Sequence, residues 1–217
     1  MRGVVLVCGR AEEGFAAPAG VRLETLPARP GRAEVDPLLA AELVVVGTDA
    51  DLAAVVLRLV RKEKLDATTV GYVPTDAGSA VAAVWRLPTD RRRALELALT
   101  GTAHPVPLIR DDGGGVLLGQ GVLRGPRGVA YCDDTTALRG EAQSIAVRPA
   151  AGTAGLVATV TRGRLVKRRE DFPARAFQFG GEPMVPESDG VPYPRPVERW
   201  TWYRHTSDLR LVLPASP

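Results

Sequence analysis

The sequence is poor in the residues that most often carry covalent or metal chemistry. Its 217 residues include two cysteines and two histidines, and aromatic residues make up only 5%. Cys8 and Cys132 lie far apart and match no metal or redox spacing, which argues against a disulfide scaffold and a CxxC-type centre. Cys8 sits in the apolar run VVLVCG, where a buried thiol is the ordinary reading. With His104 and His205 as the histidines and no cysteine beside either, a transition-metal site has no support. No GxSxG elbow is present. Lysine is confined to Lys62, Lys64 and Lys167, and 28 basic residues nearly balance 25 acidic ones, leaving a net charge of +3. That surplus is too small for a dedicated nucleic-acid surface, so no nucleic-acid partner is expected. No apolar stretch approaches the roughly 20 residues needed to span a bilayer. The first apolar run is too short for a signal core and is soon followed by Glu12 and Glu13. The expected location is cytoplasmic, with contact at a membrane surface left open.

What the sequence does have is a core-forming hydrophobic content of 45%, distributed in two textures. In the first hundred residues short apolar runs alternate with helical patterns. GVVLVCG, AELVVVG and ATTVGYVP read as buried strands closed by Gly9, Gly47 and Pro74. Between the last two, Leu52, Val55, Val56, Leu59 and Val60 have helical spacing, with basic residues gathered in the final turn where the helix dipole favours them. TDAGSAVAAVWRLP reads as a loop entering a short helix that stops before Pro88. RRRALELALTG is a further helix, with Thr89 or Asp90 as its cap and Gly101 at its end. PARPGRAE reads as a mobile loop. This alternation predicts an α/β half with a mainly parallel, Rossmann-like sheet.

Near His104 the texture changes. HPVPLIRDDGGGVLLGQGVL reads as two strands joined by a glycine-rich turn, and SIAVRP, GLVATVTRG, RAFQF, ERWTWY and LRLVLP follow as short strands. The prediction is an antiparallel sheet or sandwich over residues 104–207, after an α/β domain over 1–103 to which residues 208–217 return.

In an open parallel sheet, ligands bind beyond the carboxyl ends of the strands. Two loops occupy such positions: Gly47, Thr48, Asp49, Ala50 and Asp51 in one, and Pro74, Thr75, Asp76, Ala77, Gly78 and Ser79 in the other. Small residues there let amides approach a phosphate, and the carboxylates suit a magnesium ion held through water. The same residue types are also ordinary helix caps.

Taken together, the two loops resemble those of the diacylglycerol kinase and sphingosine kinase family of lipid kinases, within the NAD kinase-like superfamily. VVVGTDADLAAVV stands where the family has GGDGT and its helix. VPTDAGSAVAAVWRLP follows the family's PLGTGNDFARSLGIP with Gly78, Ala82 and both prolines kept. PESDGVPYPRP resembles the family's DGE turn, and LRLVLP its closing strand. The resemblance implies ATP and Mg2+ as cofactors and a hydroxyl of a lipid or lipid-like alcohol as acceptor. The site would be a cleft between the halves, with Gly47, Thr48, Asp49, Asp51, Thr75, Asp76, Gly78 and Ser79 facing the phosphates. Asp189 would be the base acting on the acceptor hydroxyl. Family members often dimerise.

The departures are as informative. Thr48 and Ala50 replace glycines, which crowds a bound phosphate and disfavours positive φ. Ser79 and Ala80 replace the family's Asn and Asp, Val191 replaces the Glu of DGE, and the chain looks shorter than typical members. The alternative is therefore a pseudoenzyme that kept the scaffold and binds a lipid or protein partner. A site repurposed for another phosphorylated small molecule is the third reading.

Other features have simpler readings. Asp111 and Asp112 suit a hairpin turn, and Asp133 and Asp134 a polar loop or a cation site. Arg162, Arg164, Lys167, Arg168 and Arg169 suit a solvated strand face or attraction to an anionic membrane. Trp200 and Trp202 share one face of a strand, as core or as a lipid-facing patch.

Overall fold

The computed structural model describes residues 3–9, 20–163 and 166–215. Glu12, Glu13 and Arg164 lie outside them. The chain divides into two compact units, one reaching Val106 and taken up again from Ser207, the other Pro107–Thr206. His104 therefore lies in the first unit and His205 in the second.

The first unit is built on β1 (Val4–Cys8), β2 (Arg22–Leu26), β3 (Glu42–Gly47), β4 (Thr69–Pro74), β5 (Thr102–Val106) and β18 (Leu209–Leu213). Their order is β2-β1-β3-β4-β18-β5, parallel except for the edge pair of β5 with β18. β1, β3 and β4 are almost wholly buried, which explains why they read as unbroken apolar runs.

The helices are α1 (Arg32–Val35), α2 (Asp49–Arg61), α3 (Ala80–Trp85) and α4 (Arg91–Thr100). PARPGRAE is not simply a loop. Pro30 is buried, and the Glu34 carboxylate accepts the Gly31 N–H at 2.9 Å at the start of α1. Asp90 caps α4 by accepting the Arg93 N–H at 3.0 Å. Gly101 ends α4 in an extended conformation, φ −74° and ψ 171°, rather than the left-handed one usual for a terminal glycine. Space explains the residue there: a Cβ would fall 2.7 Å from both the Leu97 carbonyl and Val212. Gly71 is similar, since its Cβ would sit 2.6 Å from the Ala98 carbonyl, so α4 rests directly on the backbone of β4.

The second unit contains two six-stranded sheets. One comprises β6 (Ile109–Asp111), β7 (Val116–Leu117), β9 (Arg127–Cys132), β10 (Thr135–Glu141), β14 (Ala176–Met184) and β17 (Val197–Arg204). The other comprises β8 (Gly121–Arg124), β11 (Ser144–Pro149), β12 (Leu156–Arg162), β13 (Arg168–Ala174), β15 (Glu187–Ser188) and β16 (Val191–Pro192). The pairings are antiparallel throughout. Their shared core includes Leu123, Ile145, Phe177, Trp200 and Trp202. Trp200 is 3% exposed and Trp202 fully buried, so the two tryptophans are core residues and not a lipid-facing patch.

Among the described residues no helix is long and apolar enough to cross a membrane. Both cysteines are buried and free, and burial beside Asp51 and Asp133 pushes the Cys8 and Cys132 thiols up to about 12. Neither is a thiolate at neutral pH.

Candidate functional site

The two strand-exit loops of the first unit meet. β3 and β4 are parallel neighbours with Gly47 opposite Pro74, and the Thr75 N–H donates to the Gly47 carbonyl at 3.0 Å. α2 and α3 start from this corner, so the fold brings Gly47, Thr48, Asp49, Asp51, Thr75, Asp76, Gly78 and Ser79 to one place.

What they do there is dominated by two carboxylates. Asp51 is 3% exposed and closes a capping box with Thr48. Its Oδ2 accepts the Thr48 N–H and hydroxyl, both at 2.8 Å, and its Oδ1 accepts the Arg29 N–H at 2.6 Å. Arg29 is held there with φ +50°. Gly47 must remain glycine because a Cβ would stand 2.8 Å from Asp51 Oδ2.

Asp49 reaches across to the second loop. Its Oδ1 accepts the Tyr72 hydroxyl at 2.8 Å and the Ser79 hydroxyl at 2.5 Å. Its Oδ2 accepts the Ala80 N–H at 2.7 Å and the Val81 N–H at 3.2 Å. Ser79 is itself the N-cap of α3, accepting the Ala82 N–H at 3.0 Å. A helix N-terminus presents unsatisfied donors and a positive dipole to an anion, and here the anion is Asp49. Thr75, Asp76 and Gly78 form the exposed rim, with Asp76 accepting the Gly78 N–H at 2.8 Å.

Thr48 and Ala50 obstruct less than the sequence implies. Thr48 has φ −80° and Ala50 lies within α2, so neither position demands a glycine backbone. The Thr48 N–H and hydroxyl are engaged by Asp51, and the Ser79 hydroxyl and the Ala80 and Val81 N–H groups by Asp49. A polyphosphate needs free N–H and O–H donors, and magnesium needs carboxylate oxygens that are not already spent on such donors. Asp49 and Asp51 occupy both. Among the described residues, no three His, Cys, Asp or Glu side chains are grouped to hold a metal ion.

In the second unit Asp189 is 5% exposed, with φ +48° ahead of Gly190 at +79°. Its Oδ2 accepts the Leu118 N–H at 2.8 Å, and its Oδ1 accepts those of Gly119 and Gln120 at 2.8 and 2.9 Å. The carboxylate thus cross-ties two chain segments, and its lone pairs point at amides.

The Asp133 carboxylate, in the turn between β9 and β10, accepts the Arg175 and Ala176 N–H groups, a structural role for that polar loop. Arg162 pairs with Glu170 at 3.0 Å, and Arg168 and Arg169 are exposed on β13, a solvated strand.

Sequence reasoning missed Tyr72, whose hydroxyl is the buried side of the corner. It lies within an apolar run and looks like core, and only the pairing of β3 with β4 shows where its hydroxyl points. Arg29 was also missed, because its contribution is a backbone N–H.

The chain thus combines a mainly parallel α/β unit, in which two strand-exit corners abut, with a unit of two antiparallel sheets. The chain is similar to a diacylglycerol kinase from Bacillus anthracis str. Sterne, with a TM-score of 0.73 and 12% identity over 99% of this chain and 97% of that one. It is also similar to an NAD kinase from Archaeoglobus fulgidus in complex with ATP, with a TM-score of 0.58 and 12% identity over 98% and 93% of the two chains. The first match runs through both units rather than the α/β unit alone. No family model and no curated protein matches the sequence. The chain therefore shares the fold of lipid and NAD kinases, and at this identity the likeness is one of fold.

Proposed function

We propose that this is a kinase-fold protein that does not use ATP and serves as a lipid- or protein-binding regulatory module. One observation carries the reading: the Asp49 carboxylate is bonded to Tyr72, Ser79, Ala80 and Val81, the donors a phosphate would need. The commitment of Asp189 to three backbone amides supports it, since a base must offer a lone pair to the hydroxyl it deprotonates.

The competing reading is ATP-dependent phosphorylation of a hydroxyl on a lipid or lipid-like alcohol. It is favoured by the meeting of the two corners within a fold shared with an ATP-bound NAD kinase. Thermal melting with and without Mg-ATP separates the two. A nucleotide at 100 times its Kd adds about 2.7 kcal/mol to stability. The expected result is an unchanged Tm at millimolar Mg-ATP, and a saturable rise restores the kinase reading.

A further inference from the structure

Asp51, Asp111 and Asp189 are the buried carboxylates among the described residues, and they are not equally satisfied. Asp51 and Asp189 each take three hydrogen bonds of 2.6–2.9 Å, spread over both oxygens. Asp111 is 7% exposed and takes one such bond, from the Gly115 N–H to Oδ1 at 2.8 Å. Its Oδ2 faces the Ser188 hydroxyl at 3.4 Å, long for a bond to a carboxylate. Ser188 in turn accepts the Trp202 indole N–H at 3.1 Å, which leaves a second lone pair on its oxygen facing Asp111. A buried oxygen with so weak a partner is a place where a proton is stabilising.

We propose that Asp111 and Ser188 form a proton-operated clasp between the glycine-rich turn of the β6–β7 hairpin and β15, which leads into the turn at Asp189. Protonated, Asp111 donates a charge-free hydrogen bond from Oδ2 to Ser188 Oγ while Oδ1 keeps the Gly115 N–H. Ionised, it is a buried charge with a poorly matched partner.

The surroundings support this. The charged side chain acting on Asp111 is Arg110, on its own strand, whose guanidinium is engaged by the Gly114 and Gly115 carbonyls at 3.2 and 2.8 Å. β15 supplies Ser188, and β17 supplies Trp202, opposite Asp111 in register; both are uncharged. Beyond the turn, Tyr193 and Trp200 pack against Gly113. Burial raises the proton affinity of Asp111 above the ordinary carboxylate value, against smaller opposing effects from Gly115, Ser188, Gly113 and Arg110. The sign follows from linkage. With the closed-state pKa raised, the closed turn is most favoured below the ordinary value of 3.8 and loses that advantage as pH rises through the raised one.

The test is amide hydrogen exchange at Gly114 and Gly115 in the intact protein, corrected for intrinsic rates, compared between buffer at or below the ordinary value of 3.8 and neutral buffer. Wild type should be severalfold better protected in acid, while amides of Leu209–Leu213 report global opening. Asp111→Asn, which keeps the Oδ1 acceptor and supplies a neutral donor to Ser188, should be protected at both pH values and melt higher than wild type at neutral pH. Asp111→Ala should lose the protection and its pH dependence. Protection at Gly115 that ignores pH in wild type, or an Asp111→Asn variant that melts lower at neutral pH, would overturn the proposal.

Discussion

Asp189→Asn is expected to unfold at markedly lower denaturant than wild type, with a loss of about 3 kcal/mol, or roughly 10 °C in Tm. The carboxylate offers two oxygens to three backbone N–H groups, and the segment from Leu118 to Gln120 is held to the 187–190 turn by these bonds. An asparagine offers one oxygen and turns an NH2 toward at least one donor, leaving a buried N–H unpaired. The position is also left-handed, where Asn is tolerated better than most residues, so backbone strain contributes little to the loss. A catalytic base would behave differently: the variant would fold with wild-type stability and lose turnover. Urea titration of the two proteins distinguishes the cases.

The second large effect is expected at Asp49. Asp49→Ala removes the acceptor of the Ser79 hydroxyl and of two amides at once and leaves the Tyr72 hydroxyl only the Gly47 carbonyl, at a cost of about 3 kcal/mol. The loss has a signature that an ordinary destabilising substitution lacks. The donors at the start of α3 are left without the carboxylate they held, so inorganic phosphate should restore part of the lost Tm in the variant. In wild type the same phosphate should give only the small, non-saturable rise that an excluded salt gives any folded protein. An Asp49→Ala protein indifferent to phosphate would mean that the corner collapses once the carboxylate is gone.

These two residues show where the sequence was legible and where it was not. β1, β3 and β4 were readable because strands buried on both faces are continuous apolar runs bounded by glycine or proline. α2 and α4 were readable from their spacing and caps. β2 and β13 were not, because both are edge strands with charged, largely exposed residues, and nothing in RLETL or RREDFPA marks a buried face. β9 and β10 were hidden by the glycines within them and by the bulge between Thr136 and Leu138.

The candidate site was legible as a location. Strand-to-helix loops rich in Gly, Thr, Asp and Ser announce a corner, and the same residue types are ordinary helix caps. Its chemistry was not legible. That Asp49 spends itself on Ser79, Ala80 and Val81, some thirty residues away, depends on the register of β3 against β4. Asp111 read as a plain hairpin aspartate because Ser188 and Trp202, which set its environment, are distant in sequence.

An internal carboxylate, Asp49, fills the corner that the resemblance to lipid kinases assigns to a nucleotide phosphate. The most direct measurement is titration of Mg-ATP into isotope-labelled protein while following the amide signals of Thr48, Ala80 and Val81. The predicted result is that all three stay in place at millimolar nucleotide. Saturable movement of these signals, with the rest of the spectrum still, would show that Asp49 yields to phosphate and would contradict the proposal that the protein does not use ATP.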